Sequence, residues 1–331
     1  MQFSTIARLS LVCGAIAASF AAAAEPAIVY DMGGKFDKSF NESMFNGAEK
    51  FKAETGVAYG EFEIANEAQR EQAIRNFADQ GYSPIIAAGF AQAAAVEKVA
   101  KEYPDLKFAI VDMVVDLPNV QSIVFKEHEG SYLVGLMAGM ASKSGKVGFV
   151  GGMDIPLIRK FGCGYAQGVK AAKADATVIQ NMTGDTGAAW NDPVKGGEIT
   201  KGQMAQGADV VYAAAGATGL GVLQAAADGG ALSIGVDANQ NYLHPGKVLT
   251  SMLKRVDVAV FSVMKGGNAG FKPGIQVLGL AEDGVGYAMD DNNKPLVSAD
   301  MLAAVEKAKA DIIAGTIKVH DYTADNTCPV Q

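Results

Sequence analysis

Three aspartates, each ending an apolar run, mark where chemistry could be placed. Asp31 closes Ala27-Ile28-Val29-Tyr30, Asp112 closes Phe108-Ala109-Ile110-Val111, and Asp237 closes Ile234-Gly235-Val236. Behind Asp31 follow Met32-Gly33-Gly34-Lys35-Phe36-Asp37-Lys38-Ser39-Phe40-Asn41. The apolar run reads as a buried strand and the glycine pair as a loop, while Asp37 or Ser39 can cap a helix over 41–54. In open α/β sheets such a loop lies outside the carboxyl end of its strand, where ligands bind, and the helix start adds free N–H groups. A carboxylate (Asp31), a ring (Phe40) and an amide (Asn41) are thereby gathered on one lip. The same residues also read as a turn closer and a hydrophobic staple.

Other strand tips end in small residues, at Gly89, Gly151 and Gly216. If two sheets turn their carboxyl ends toward one cleft, these groups and the aspartates converge on an uncharged polar ligand. Taken singly, Asp112 and Asp237 read equally as half-solvated N-cap groups. Trp190, the only tryptophan, stands in Gly187-Ala188-Ala189-Trp190-Asn191-Asp192-Pro193, where it can stack on a flat ligand or anchor its own loop. Tyr212 lies on a strand near its tip and is either core or a ring offered to the cleft.

Enzymatic motifs do not appear. Gly216-Ala217-Thr218-Gly219-Leu220-Gly221 opens a helix and could cradle an anion, but its spacing is not the dinucleotide fingerprint, and Gly162-Cys163-Gly164 with Gly168 misses it too. No Walker A, H-E-x-x-H, C-x-x-C or G-x-S-x-G pattern is present, and His128, His244 and His320 lie in unrelated contexts. No catalytic residue, metal or cofactor is expected.

The elements that must position these groups alternate. Strands are expected at 27–31, 59–64, 84–88, 108–112 and 122–125, with helices at 41–54, 68–80 and 91–103 between them. That order means right-handed crossovers and a parallel sheet. After a helix at 132–142 and the polar stretch 142–146 a second cycle opens at 147–150. It continues through helices at 158–173, 194–207 and 220–228 and strands at 178–182, 210–214 and 233–237. The fold class is therefore α/β, two doubly wound lobes. The strand at 248–253 is expected to re-enter the first lobe, followed by a helix at 256–267, a strand at 276–280 and a closing helix at 299–314. This assigns 25–142 plus about 250–282 to lobe 1 and 143–249 plus about 283–331 to lobe 2, joined by hinge strands suited to closing on a ligand.

The first 24 residues read as a cleavable secretory leader, with Arg8, an apolar core over 9–20 and small residues Ala21 to Ala24. Its core is shorter than the roughly 20 residues a spanning helix needs. Cys13 sits in a poor lipidation context, so an untethered, exported protein is expected. Cleavage removes one positive charge from a chain of 28 basic and 36 acidic residues. An acidic exported protein without a basic cluster argues against nucleic acid and anionic membrane as partners. Cys163 and Cys328 then remain, either paired as a disulfide in an oxidising compartment or present as separate thiols.

Taken together, Asp31 with Asp37-Lys38-Ser39-Phe40-Asn41, Ala109-Ile110-Val111-Asp112, Lys146-Val147-Gly148-Phe149-Val150-Gly151-Gly152, the run 207–219 and Ile234-Gly235-Val236-Asp237 closely resemble the basic membrane protein family. These are substrate-binding proteins of ABC importers, related to the purine nucleoside receptor. The resemblance implies a type I periplasmic-binding-protein fold that holds a purine nucleoside between its lobes. By motif, Asp31 and Asn41 would meet the purine edge with Asp112 beside them. Phe40 would form one stacking wall, and Tyr212 or Trp190 the other. Asp237 would accept from ribose hydroxyls, and Lys254, after Thr250-Ser251-Met252-Leu253, would add a second ribose contact. The implied partners are the ligand and an inner-membrane ABC permease, for a periplasmic monomer. Many members are lipoproteins, from which this leader departs. The family also admits receptors for a free base, a flavin or another heterocycle. A rival of another class is an exported nucleoside hydrolase, which would cluster carboxylates on a metal.

Overall fold

The computed structural model describes residues 24–330. The expected leader, with Arg8 and Cys13, lies outside them except for Ala24. In the first sheet's half of the chain, β1 (Ala27–Tyr30), α1 (Phe40–Thr55), β2 (Gly60–Glu63), α2 (Gln69–Asp79), β3 (Ile85–Ala87), α3 (Ala93–Glu102), β4 (Phe108–Val111) and β5 (Val120–Phe125) alternate. The second cycle comprises α4 (Glu127–Ala141), β6 (Lys146–Met153), α5 (Pro156–Ala172), β7 (Thr177–Gly184), α6 (Pro193–Ala205), β8 (Val210–Ala214), α7 (Thr218–Asp228), β9 (Leu232–Asp237) and β10 (Val248–Lys254). The chain ends with α8 (Val256–Gly266), β11 (Gly274–Leu278), β12 (Val285–Tyr287) and α9 (Ala299–Ile313).

Two sheets result, ordered β11-β5-β4-β3-β1-β2 and β12-β10-β9-β8-β6-β7. Every pairing is parallel except β10 with β12, which is antiparallel. The central strands β1, β3, β4 and β8 read as unbroken apolar runs because both of their faces are covered, while the outer strands β2, β7 and β11 are partly exposed. Along β4, Phe108 and Ile110 pack on one side and Ala109 and Val111 on the other, so one strand feeds two cores. The larger core continues from the first lobe into the second, from Ile28 and Met44 to Phe149, Tyr165 and Val305.

One expectation is overturned by strand pairing. β10 does not return to the first lobe; it pairs in parallel with β9, Leu253 opposite Asp237, as a strand of the second sheet. The chain returns only at α8, which packs on α1, and at β11, which extends the first sheet beside β5. Likewise α4, expected from 132, begins at Glu127 and packs on α5, β10 and β12, so the first exit from lobe 1 comes near residue 126 and not at 142. Three segments therefore cross between lobes, at β5–α4, β10–α8 and β11–β12. They are bonded together: Lys126 N–H donates to Leu278 O at 2.9 Å and Arg255 N–H to Gly284 O at 2.8 Å.

The α4–α5 contact depends on glycines. A Cβ on Gly135 would lie 2.2 Å from Tyr165 O, one on Gly164 2.4 Å from His128 O, and one on Gly168 2.0 Å from Tyr132 O. Gly164 and Gly168 thus serve close helix packing, and Gly162 leaves room for the Gln180 and Phe149 side chains of the sheet. Cys163, on this helix, is disulfide-bonded to Cys328 and fixes the C-terminal tail.

Candidate functional site

The carboxyl ends of the two sheets face each other across a cleft lined from both lobes, the position where open α/β sheets bind ligands. Asp31, Phe40, Asn41 and Asp112 line it from the first lobe, and Trp190, Gly216, Asp237 and Lys254 from the second. Eight of the nine residues singled out in the sequence therefore meet at one place.

Tyr212 does not. It is wholly buried, with its ring edge-on to Phe149 at 5.4 Å and 5.2 Å from Tyr165. Its strand runs two residues further, to Ala214, and alternation turns 212 into the α4–α5 core, one layer beneath the cleft. The ring belongs to the core, and Ala214 and Ala215 take the cleft-lining positions of that tip.

On the first lip, Asp37 caps α1. Its carboxylate accepts from the backbone N–H of Ser39 at 2.8 Å, Asn41 at 3.0 Å and Glu42 at 3.1 Å. Burial nevertheless outweighs these bonds and pushes its carboxyl up to about 7. Ser39, thus relieved of capping, donates its hydroxyl across the cleft to Asp237 Oδ2. Asn41 spends its amide on the loop: Oδ1 accepts from Asp31 N–H, and Nδ2 donates to Asp31 O and Gly34 O. Asp31 lies over Gly89, where a Cβ would come within 2.5 Å of Oδ2, so only glycine leaves room for that carboxylate. Burial raises the Asp31 carboxyl, and the Met32 N–H and the Arg70 guanidinium 3.5 Å away pull it back.

Asp112 and Asp237 occupy the same place in the two lobes, at the ends of the third strand in each sheet order. Both have left-handed backbone, φ 71° and 64°, a conformation that Asp tolerates better than most residues. Asp112 accepts from Lys254 Nζ at 2.7 Å through Oδ2, while its Oδ1 is buried without a partner. Burial pushes the Asp112 carboxyl up to about 6, with Lys254 opposing the shift. Burial likewise raises Asp237, against Lys254 and Ser39.

Lys254 is 2% exposed and carries the cleft's buried cation. Burial alone would strip its proton, but Asp112, Glu127 and Asp237 more than offset this and hold the ammonium charged. Glu127 Oε1 lies 3.0 Å away, and the rings of Phe40, Phe125 and Phe161 stand 5.2–5.5 Å from Nζ. The lobes are bridged here by Lys254 to Asp112, by Ser39 to Asp237, and by Gln240 Nε2 donating to Lys38 O at 2.9 Å.

Sequence reasoning missed Phe161 and Phe90 in the lining, Arg70 behind Asp31 and Glu127 behind Lys254. A charge within a helical pattern reads as solvent-facing; for Lys160 the usable signal was the following Phe161-Gly162-Cys163-Gly164, whereas Glu127, between Lys126 and His128-Glu129, gave none. Gly216 to Gly221 holds no exposed cradle either, since a Cβ on Gly221 would strike Pro193 O at 1.7 Å where α6 meets α7. Among the described residues no group of three or more His, Cys, Asp or Glu side chains is set to hold a metal, and no helix is long and apolar enough to cross a membrane.

A family model described as Bmp, ABC transporter substrate-binding protein PnrA-like, matches residues 24–323. The chain belongs to this family. It is 38% identical to the CD4+ T-cell-stimulating antigen of Listeria monocytogenes, over 88% of this chain and 87% of that protein. The ABC transporter nucleoside-binding protein BmpA of Lactococcus lactis is 33% identical, over 88% of each chain. A solved ABC transporter solute-binding protein from Aeropyrum pernix superposes with a TM-score of 0.82 at 30% identity, covering 89% of this chain and 92% of its own. The type I solute-binding fold, with two α/β lobes, is thus that of an ABC substrate-binding protein.

Proposed function

We propose that this substrate-binding protein closes on a purine nucleoside and presents it, chemically unchanged, to an inner-membrane ABC permease. The observation that carries the reading is Asp112, a cleft-lining residue whose Oδ1 is a buried acceptor without a protein partner, beside a cation that is already neutralised. Such an oxygen calls for an N–H or O–H of a neutral ligand, because an unmade bond at a buried acceptor costs about 1–3 kcal/mol. Phe40 and Trp190, half-buried and on opposite lobes, flank the base. Asp31 and Asp112 accept from its edge, with Asn41 holding the loop beneath. Asp237 and Lys254 take the ribose hydroxyls, and Gly216 leaves the Trp190 side open. We further propose a monomer in the periplasm, released by cleavage after Ala24 and not anchored through Cys13, which the mass of the mature N-terminus checks.

Titration calorimetry with inosine, guanosine and adenosine against adenine, hypoxanthine and riboflavin tests the ligand. Nucleosides should bind most tightly, and Asp237→Ala should weaken them far more than the free bases. Equal losses for nucleoside and base would remove the ribose assignment, preference for riboflavin would make this a flavin receptor, and release of free base would make it a hydrolase.

A further inference from the structure

A row of charges of alternating sign, buried as far as Lys160, leads out of the cleft. Asp112 pairs with Lys254 at 2.7 Å, Lys254 with Glu127 Oε1 at 3.0 Å, Glu127 Oε2 with Lys160 at 3.0 Å, and Lys160 with Asp321 at 3.4 Å. Glu127 is 1% exposed and Lys160 8%, and neither lines the cleft. Lys160 is further fixed by donating to Phe125 O at 2.7 Å. The row ends on the C-terminal tail, which one stripe of α5 grips on consecutive turns. Lys160 meets Asp321, Cys163 is bonded to Cys328, and Gln167 exchanges two hydrogen bonds with the His320 backbone, at 2.8 and 3.0 Å.

Glu127 divides its two oxygens between two lysines. That division leaves Lys254 shared with Asp112 Oδ2, while Asp112 Oδ1 stays without a protein partner in a residue that lines the cleft. Without Lys160, both Glu127 oxygens would compete for Lys254 and draw the ammonium toward the hinge. Burial opposes ionisation of Glu127, yet Lys254 and Lys160 together hold its carboxyl below the ordinary range, as a shared anion requires.

We propose that Glu127 and Lys160 are positioning residues for ligand recognition, and that the disulfide-anchored tail completes their charge row through Asp321. The affinity arm of the test rests on the nucleoside reading; a second arm does not. With the full oxidised protein and inosine as probe, Lys160→Met should weaken binding on the order of tenfold, and Lys160→Arg should restore it to within about threefold. Asp321→Asn, at a half-exposed position, should cost about threefold and still fold. In lysine-labelled protein, the Lys254 Nζ resonance, assigned by its absence in Lys254→Arg, should move in Lys160→Met and return in Lys160→Arg. Unchanged inosine affinity with an unmoved Lys254 resonance would overturn the proposal, as would Lys160→Arg behaving like Lys160→Met. If Lys160→Met does not fold, the Asp321→Asn affinity and resonance decide. If the wild-type protein binds no nucleoside, the ligand reading fails and the Lys254 resonance alone decides.

Discussion

Replacing Asp112 by asparagine keeps its size and an oxygen for Lys254, and removes only the charge and one acceptor. The oxygen that lacks a protein partner becomes an amide donor, so a ligand N–H or O–H meets a donor where it needs an acceptor. A hydrogen bond to a charged group contributes about 1.5–3 kcal/mol, and tenfold in Kd corresponds to about 1.4 kcal/mol, so affinity should fall about 10- to 150-fold. The pH dependence sharpens the expectation. Burial raises the folded carboxyl to about 6, above an unfolded value of about 3.9, so the native state takes up the proton first. This group's contribution to folding stability is then fully present below about pH 4 and is lost as pH rises through about 6. Ligand affinity moves the other way, because a protonated Asp112 no longer offers a charged acceptor: it weakens on acidification through about pH 6. Calorimetry from pH 5 to 8, with urea melts at the same values, reads both trends. The asparagine variant should lose the limb near 6 and keep the one that Asp37, raised to about 7, contributes. Binding within threefold of wild type, or an unaltered pH profile, would refute the assignment of Asp112.

Trp190 is the sole tryptophan and lines the cleft, so its emission should change on saturation with nucleoside; an unaltered spectrum would remove it from the stacking wall. Stacking contributes about 1–3 kcal/mol per base, so Trp190→Ala should weaken binding about 5- to 150-fold by calorimetry. The disulfide spans 165 residues of chain, and Cys328→Ser should cost about 2–5 kcal/mol of unfolding free energy in urea; a midpoint equal to wild type would show that the tail adds nothing. Gly168→Ala places a Cβ on Tyr132 O and should cost about 3 kcal/mol or more, and an unchanged thermal midpoint would contradict the close α4–α5 approach.

Much of this arrangement was legible because strands buried on both faces announce themselves as continuous apolar runs. Asp31, Asp112 and Asp237 were legible as strand tips for the same reason. Strand membership was not: 248–254 reads as a strand, but nothing in its composition says which sheet it joins, which only the register with β9 decides. Tyr212 failed by two residues, the distance between a strand's tip and the layer below it. Glu127 was hidden because the helix was read from its apolar part, leaving its polar first turn as loop. The glycines at 162, 164 and 168 matched no fingerprint, and their purpose stayed hidden because the groups that fill the missing side-chain space, α4 against Gly164 and Gly168 and the Gln180 and Phe149 side chains against Gly162, are distant in sequence.

The three crossings between lobes lie beside Lys254, the last residue of β10, and Glu127, the first of α4. A rotation that opens and shuts the jaws would therefore pivot about the spot where this ammonium and carboxylate meet, and their mutual distance would hardly vary over the stroke. Stripping water from that ion pair is then an expense of folding, incurred once, and each capture event need only dry the outer rim and the guest itself.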